Sequence, residues 1–300
     1  MSQHKSIDEI KNVLIVGAGT LGLRIALRCA LDGYQVKMYD ISEKQLNTAV
    51  DFQTKITRDL LKKNSITDEM AHRVKTNLLP VSDIDQAVED VDLVSESVIE
   101  NIEIKQAFYK DFAPRLAKGT IVTTNTSYLL PSQLIDFIVE PENFCAFHFH
   151  DVFNQVVVDV MPHSGTAQTV VDLLMEFGKR INQIPVFIQK ESPGYIFNSM
   201  LMAILGQAGS LRVNDVGSIQ DIDRSFMGNF QLPIGPFGML DQIGLDTVLH
   251  ITSVRSDRKS VEFTELLKPY VDQGKLGYKT GEGFYCYPNP EYKQPSFLRG

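Results

Sequence analysis

Apolar residues recur along this chain with two interleaved periods over the first 190 positions and with a single, helical one beyond them. Val13-Leu14-Ile15-Val16 is an unbroken β-branched and aliphatic run, the pattern of a strand buried on both faces of a parallel sheet. Leu21, Ile25, Ala26 and Cys29 then repeat at helical spacing. Gly33 is placed to end that helix in the left-handed conformation, and 35–39 reads as a second strand. Ser42 and Gln45 form a capping box that opens a helix to about residue 63, and a second helix runs from 68 to about 74. This pair predicts a helical hairpin standing off the sheet. Strand patterns return at 77–79, 92–94, 120–124, 144–150, 156–161 and 184–188. Helices fall at 102–116 and 165–180, and Pro131-Ser132 opens a short one. Such alternation predicts a doubly wound, mostly parallel α/β sheet.

At Ser192-Pro193-Gly194 the pattern changes, with a cap, a proline suited to a first helical turn, and only helical periodicity afterwards. An α/β domain over 1–190 is therefore followed by an all-α domain over 191–300, with helices at 195–212, 219–227, 239–251 and 261–271. A tail rich in Gly and Tyr closes it at 277–287. Met200, Leu201, Met202, Ile204 and Leu205 make the first of these helices apolar. Core packing accounts for that, and so does burial of one face against a twin subunit, which predicts a homodimer.

The turn after the first strand carries the clearest chemistry. Gly17-Ala18-Gly19-Thr20-Leu21-Gly22 is GxGxxG between a strand and a helix, and Asp40 ends the next strand eighteen residues after Gly22. Gly17 permits the tight turn, Gly19 admits a pyrophosphate to the backbone, and Gly22 lets helix and strand close up. The helix N-terminus opened by Thr20 and Leu21 supplies N–H groups and partial positive charge for phosphates. A carboxylate at Asp40 accepts bonds from ribose hydroxyls and repels a 2′-phosphate, so NAD is expected rather than NADP. A glycine turn that merely packs a helix on a sheet leaves Asp40 unexplained.

Composition narrows the partners. A formal charge of −8 and the lack of a basic face argue against nucleic acid, and 43% hydrophobic with 22% charged residues is ordinary for a globular chain. Cys29, Cys145 and Cys286 are odd in number and set among apolar residues, which predicts reduced core thiols with no disulfide and no metal centre. The N-terminus lacks the apolar stretch of a signal peptide and no run is long enough to span a membrane, so a cytoplasmic enzyme is expected.

In a doubly wound sheet, ligands sit beyond the carboxyl ends of the strands. That places 17–22, 96–100 and 125–127 along one edge and makes Ser127 a site candidate. His148 and His150 fall on one side of their strand, and Asp159 interrupts a run of valines, where an acid needs a partner. Histidine is the obvious one. The basic residues Arg58, Lys62 and Lys63 at the end of the hairpin's first helix suit either an anionic substrate or simply the helix dipole.

Taken in order, GAGTLG, Glu96-Ser97-Val98-Ile99-Glu100-Asn101 with Lys105, Asn125-Thr126-Ser127, His148-Phe149, Ser192 to Asn198, Gly235-Pro236-Phe237 with Leu240-Asp241, and Lys279 to Tyr285 resemble the L-3-hydroxyacyl-CoA dehydrogenase family. The resemblance runs from about residue 11 to 290. It implies a Rossmann-like domain, a dimerising helical domain, and NAD-linked oxidation of a secondary alcohol. By position it implies cofactor contacts at Asp40, Glu100, Lys105 and Ser127, with Ser127, His148 and Asn198 around the substrate oxygen. Such a reaction needs a base for the hydroxyl proton, and His148, which precedes Phe149 as in the family pattern, takes that role ahead of His150.

The chain departs from the pattern in several places. His150-Asp151-Val152 stands where the family has Phe-Asn-Pro, so Asp151 brings a negative charge close to the nicotinamide. The orienting glutamate is replaced by Val160 at the ungapped position, with Asp159 one place earlier as the acid chosen here. Ile56 stands near the expected CoA-facing serine, which leaves Lys63 as the CoA candidate. Three functions compete: a 3-hydroxyacyl-CoA dehydrogenase, a dehydrogenase of a free 3-hydroxy acid of the sugar-acid or carnitine type, and an NAD-binding protein of crystallin-like, non-catalytic character.

Overall fold

The computed structural model describes residues 5–253 and 258–299. It divides into two compact units that meet in sequence between Ile196 and Phe197. The first is built on one eight-stranded sheet in the order β3-β2-β1-β4-β5-β6-β7-β8. Its strands are β1 (Asn12–Val16), β2 (Gln35–Tyr39), β3 (Leu78–Val81), β4 (Leu93–Glu96), β5 (Ile121–Thr124), β6 (Phe144–Phe149), β7 (Val157–Pro162) and β8 (Ile184–Phe187). Neighbours are parallel except β6 and β7, which run antiparallel. The order reverses between β1 and β4, the switch point at which such sheets bind ligands.

Period-two alternation sorts β1 onto two cores. Val13 and Ile15 join the cluster that includes Ile25, Ala26 and Cys29 of α1 (Thr20–Leu31) and Val170, Leu174 and Phe177 of α6 (Gln168–Arg180). Leu14 and Val16 join the opposite cluster with Tyr109 and Phe112 of α5 (Ile102–Phe112). Helices thus cover both faces, which is what a strand hydrophobic at every position requires. Gly33 takes φ +97, as the helix end demands.

Several elements differ from the reading of the sequence. A short helix absent from it, α4 (Ile84–Val88), is capped by Asp83. Ser42 caps α2 (Glu43–Lys62), accepting from Gln45 N at 3.2 Å, but the box is not reciprocal because the Gln45 amide donates to the Ala18 carbonyl at 2.8 Å. The hairpin of α2 and α3 (Asp68–Asn77) packs on α1, with Ile56, Leu60, Met70 and Val74 around buried Leu27, Leu31 and Ile66, and does not stand free. The helix expected from 195 begins later, because Gly194 and Tyr195 both adopt positive φ.

The second unit is all-α, with α7 (Phe197–Val213), α8 (Ile219–Phe230), α9 (Pro236–Ile243), α10 (Leu245–Ser253) and α11 (Arg258–Asp272) around Leu205, Met227, Phe237, Leu240, Val248, Phe263 and Leu267. The single helix expected over 239–251 is two, because Gly244 at φ +101 breaks the ladder. Gly209 lets α7 and α11 close up, since a Cβ there would lie 2.3 Å from the Phe263 ring. Cys29 and Cys145 are buried free thiols, whereas Cys286 is exposed and not part of a core. Among the described residues no helix is long and apolar enough to cross a membrane.

Candidate active site

The glycine turn has the shape the sequence implies. Gly17 lies at φ +94 with its Cβ direction 2.6 Å from the Ser97 carbonyl, and a Cβ on Gly22 would lie 1.8 Å from the Gly17 carbonyl. Neither position tolerates a side chain. A Cβ on Gly19 would meet nothing within 4 Å, so the backbone before Thr20 and Leu21 is open on the side from which a pyrophosphate would approach. Asp40 accepts from Ala18 N and Ser42 N, each at 2.9 Å, one bond on each oxygen. One lone pair per oxygen is left for a ribose hydroxyl. These residues fit a dinucleotide.

Beyond the strand ends, Glu100 organises the turn that carries Ser127. One of its oxygens accepts from Thr126 Oγ1 at 2.5 Å, Ser127 N at 2.9 Å and Tyr128 N at 3.1 Å. Lys105, assigned by the resemblance to the cofactor, lies inside the protein at 1% exposure. Its ammonium donates to Glu96 at 2.5 Å and to the Val98 carbonyl at 3.1 Å, and Glu100 is 3.7 Å away. Glu96, fully buried at the end of β4, also accepts from Val98 N, Tyr109 and Thr124. Lys105 therefore neutralises a buried acid. The sequence shows a charge at the end of an apolar strand and a cation early in the next helix, but only packing brings the two together.

β6 pairs with β5 only as far as Thr124 and Ala146, so Phe147, His148 and Phe149 continue past the end of β5, level with the Ser127 turn. Asn125 ties the two together by accepting from Phe149 N at 2.8 Å. Across the antiparallel pair, His148 stands directly opposite Asp159 and Phe147 opposite Val160. The one-residue shift matters because neighbouring strand positions face opposite ways. Val160 packs with Phe147 in the apolar cluster, while Asp159 shares the face of His148.

His148 Nε2 lies 3.1 Å from Ser127 Oγ, and Nδ1 lies 3.1 Å from Asp159 Oδ2. The Tyr195 ring stacks on the imidazole, centroids 4.8 Å apart, and its hydroxyl donates to the Thr126 carbonyl at 2.8 Å. Tyr195 belongs to a motif noted in the sequence but was given no role there. His150, weighed only as a rival base, places Nε2 3.0 Å from the same Asp159 Oδ2. Burial lowers the pKa of His148 despite the bond to Asp159, so the ring is neutral at neutral pH. For Asp159, burial pushes upward, but the hydrogen bonds and charge of both imidazoles outweigh it and the acid lies below its ordinary range.

His148, His150 and Asp159 hold ligand atoms within 4.8 Å of one another, a geometry open to a cation. Each group is satisfied by the others, so the set needs no ion to compensate it. Asp151 does not present a bare charge: Arg24 of α1 meets it at 2.5 Å, and Asn154 and Phe153 donate to it. Ile56 packs partly buried against the hairpin core, and Lys63 is exposed at the C-terminal end of α2. Asn198 lies in the first turn of α7, in the second unit.

Comparison with known proteins agrees with this construction. The profile of the 3-hydroxyacyl-CoA dehydrogenase NAD binding domain matches residues 12–192, and that of the 3-hydroxyacyl-CoA dehydrogenase C-terminal domain matches 194–287. A probable 3-hydroxyacyl-CoA dehydrogenase of Caenorhabditis elegans is 32% identical over 298 residues, covering 94% of this chain and 97% of that one. Among solved structures, a diketoreductase described as acting on dicarbonyl compounds is 35% identical with a TM-score of 0.86, over 93% of this chain and 99% of that chain. The (S)-3-hydroxybutyryl-CoA dehydrogenase of Ralstonia eutropha is 28% identical, also at 0.86, over 94% and 100%. With a glycine turn and acid that fit NAD, and both family domains matched in order, the chain belongs to the 3-hydroxyacyl-CoA dehydrogenase family and is an NAD-dependent oxidoreductase of small hydroxy-acid or acyl substrates.

Proposed function

We propose that this enzyme oxidises a 3-hydroxyacyl-CoA to the 3-ketoacyl-CoA with His148 as general base. The observation that carries the reading is the setting of His148, with a carboxylate on one ring nitrogen and a serine hydroxyl on the other. An N–H on Nδ1 donating to Asp159 leaves the Nε2 lone pair directed at the Ser127 position. When bound, NAD supplies the hydride acceptor. The chain's own work is with the proton: Nε2 takes it from the substrate hydroxyl, Asp159 stabilises the imidazolium that results, and Ser127 holds the oxygen as it becomes a carbonyl. Asn198 is assigned to that oxygen, and Thr20, Leu21 and Glu100 to the cofactor, on the family motifs.

A second reading keeps the reaction and drops CoA in favour of a free 3-hydroxy acid. It is favoured by Ile56, a packing residue where the family has a CoA-facing serine, and by the diketoreductase, the more identical of the two solved relatives above. Lys63 is then a solvated helix end. A binding role without turnover is disfavoured by the contact between Ser127 and His148. Incubation with NAD and a panel of 3-hydroxyacyl-CoA esters and free 3-hydroxy acids, followed by NADH absorbance, separates the readings; turnover confined to free acids removes the first.

The proposal includes a homodimer through the second unit. That unit carries an apolar groove of about 780 Å³ lined by Ile204, Leu211, Ile222, Phe226 and Phe230, with Met200 exposed on the same helix as Ile204. Three free cysteines suit a reducing compartment, and the cytoplasm is the proposed location.

A further inference from the structure

Asp159 Oδ2 serves two imidazoles at once, with His148 Nδ1 at 3.1 Å and His150 Nε2 at 3.0 Å. The three side chains share one face because His148 and His150 are two positions apart and Asp159 is the cross-strand partner of His148. The two rings lie 4.8 Å apart and inclined at 63°, so both approach the oxygen without displacing each other. One carboxylate oxygen has two lone pairs and accepts both N–H groups. This arrangement assigns the tautomers: an N–H on Nδ1 of His148 and on Nε2 of His150.

Aspartate is one methylene shorter than the glutamate of the family pattern, and His150 stands where that pattern has phenylalanine. The two departures are in contact. A shorter acid places its carboxylate close to the strand, and a second donor there fixes its rotation. We propose that His150 is a positioning residue that acts through Asp159: it holds the oxygen against which His148 is oriented and draws off part of the charge that would otherwise bind a proton to His148. The inference rests on the reading of His148 as the base. The titratable groups facing the pair are Asp159 from β7, Glu100 after β4 and Tyr195 after β8, while neighbouring Asp151 is turned to Arg24.

Without His150, the full charge of Asp159 falls on His148, which then holds its proton to higher pH. Glutamine reaches the position of the histidine Nε2 with a neutral N–H, whereas phenylalanine and asparagine do not. The test compares wild type, His150→Phe, His150→Asn, His150→Gln and His148→Gln. Two readouts are taken: NMR titration of the His148 ring, assigned by its loss in His148→Gln, and the pH profile of kcat on the substrate that turns over. Expected are a rise of the His148 midpoint and a fall in kcat of about tenfold in the Phe and Asn variants, the scale of a small misorientation. The Michaelis constant for NAD stays unchanged, and His150→Gln returns both readouts towards wild type. An unchanged midpoint and kcat in His150→Phe, or a Gln variant no better than Asn, overturns the inference while leaving His148 as base. Retained turnover in His148→Gln overturns both. Should the Phe variant fail to fold, the Gln and Asn pair decides alone.

Discussion

Asp159 in the first unit and Asp223 in the second are both buried, at 1% and 0% exposure, yet their protonation is driven in opposite directions. Asp159 faces two imidazoles, groups able to carry a positive charge, and its pKa lies below the ordinary range even though burial pushes it up. Asp223 accepts from Phe237 N at 2.8 Å, Gly238 N at 3.0 Å and the Tyr285 hydroxyl at 2.9 Å, and burial pushes it up to about 6. Its neighbour Asp241, bonded to Phe284 N, Tyr285 N and Tyr287, is raised as well, again by burial. None of these donors can become a cation. At Asp223 three neutral donors lower the pKa without outweighing burial, whereas at Asp159 two imidazoles do outweigh it. On the proposed mechanism the first centre transfers a proton, while the second caps α9 and ties the tail at Tyr285 to α8.

The comparison is tested most severely at His148. His148→Asn should lower kcat by about 10³-fold with almost no change in NAD affinity, because on the proposed mechanism the base acts only in the transition state. Asp223→Asn should alter stability and leave the chemical step alone. Steady-state kinetics beside NADH fluorescence titration checks both, and equal losses of kcat in the two variants would erase the distinction.

A further buried acid, Glu96, extends the comparison to a carboxylate paired with a lysine. Glu96 does have a cation, and Glu96→Gln strands the ammonium of Lys105 at 1% exposure. A loss of about 3–5 kcal/mol in urea unfolding is expected, and the double variant with Lys105→Met should recover part of it. If the double variant is worse than Glu96→Gln alone, the pair is not what neutralises this site.

The smallest effect is the dependence on pH. The folded-state pKa of Asp223 is above its unfolded value, so the native state binds the extra proton between 3.8 and about 6. This group therefore favours folding as pH falls through that window and penalises it above, by up to about 3 kcal/mol. Asp159 has the opposite sign, its contribution being present above its unfolded pKa and lost on acidification. Unfolding of wild type and Asp223→Asn between pH 4 and 7.5 should show the wild type gaining on the variant as the solution is acidified. A constant difference would mean that Asp223 does not titrate in that window.

Much of the site was legible before any coordinates, and the misses share a cause. GxGxxG and Asp40 followed from residue type at a given spacing, whereas the choice of Asp159 over Val160 followed from the resemblance and from an acid standing in a valine run. Lys105 was assigned to the cofactor because its spacing brings a cation near the strand ends, whereas packing turns it inward onto Glu96. Asp151 was read as a bare charge because Arg24, far away in sequence, meets it. His150 was read as a competitor because a sequence does not show that one oxygen accepts from two rings.

The chain's pattern by itself determined the succession of strands and helices, the change to an all-α unit and the identity of the nucleotide turn, since the periods, caps and glycine conformations behind them are properties of neighbouring residues. Only the tertiary structure decided which charges meet. The bond from His148 to Asp159, the second bond from His150 and the burial of Lys105 on Glu96 depend on strand register and packing between distant segments; at His148 burial lowers the proton affinity, and at Asp159 the two imidazoles outweigh it.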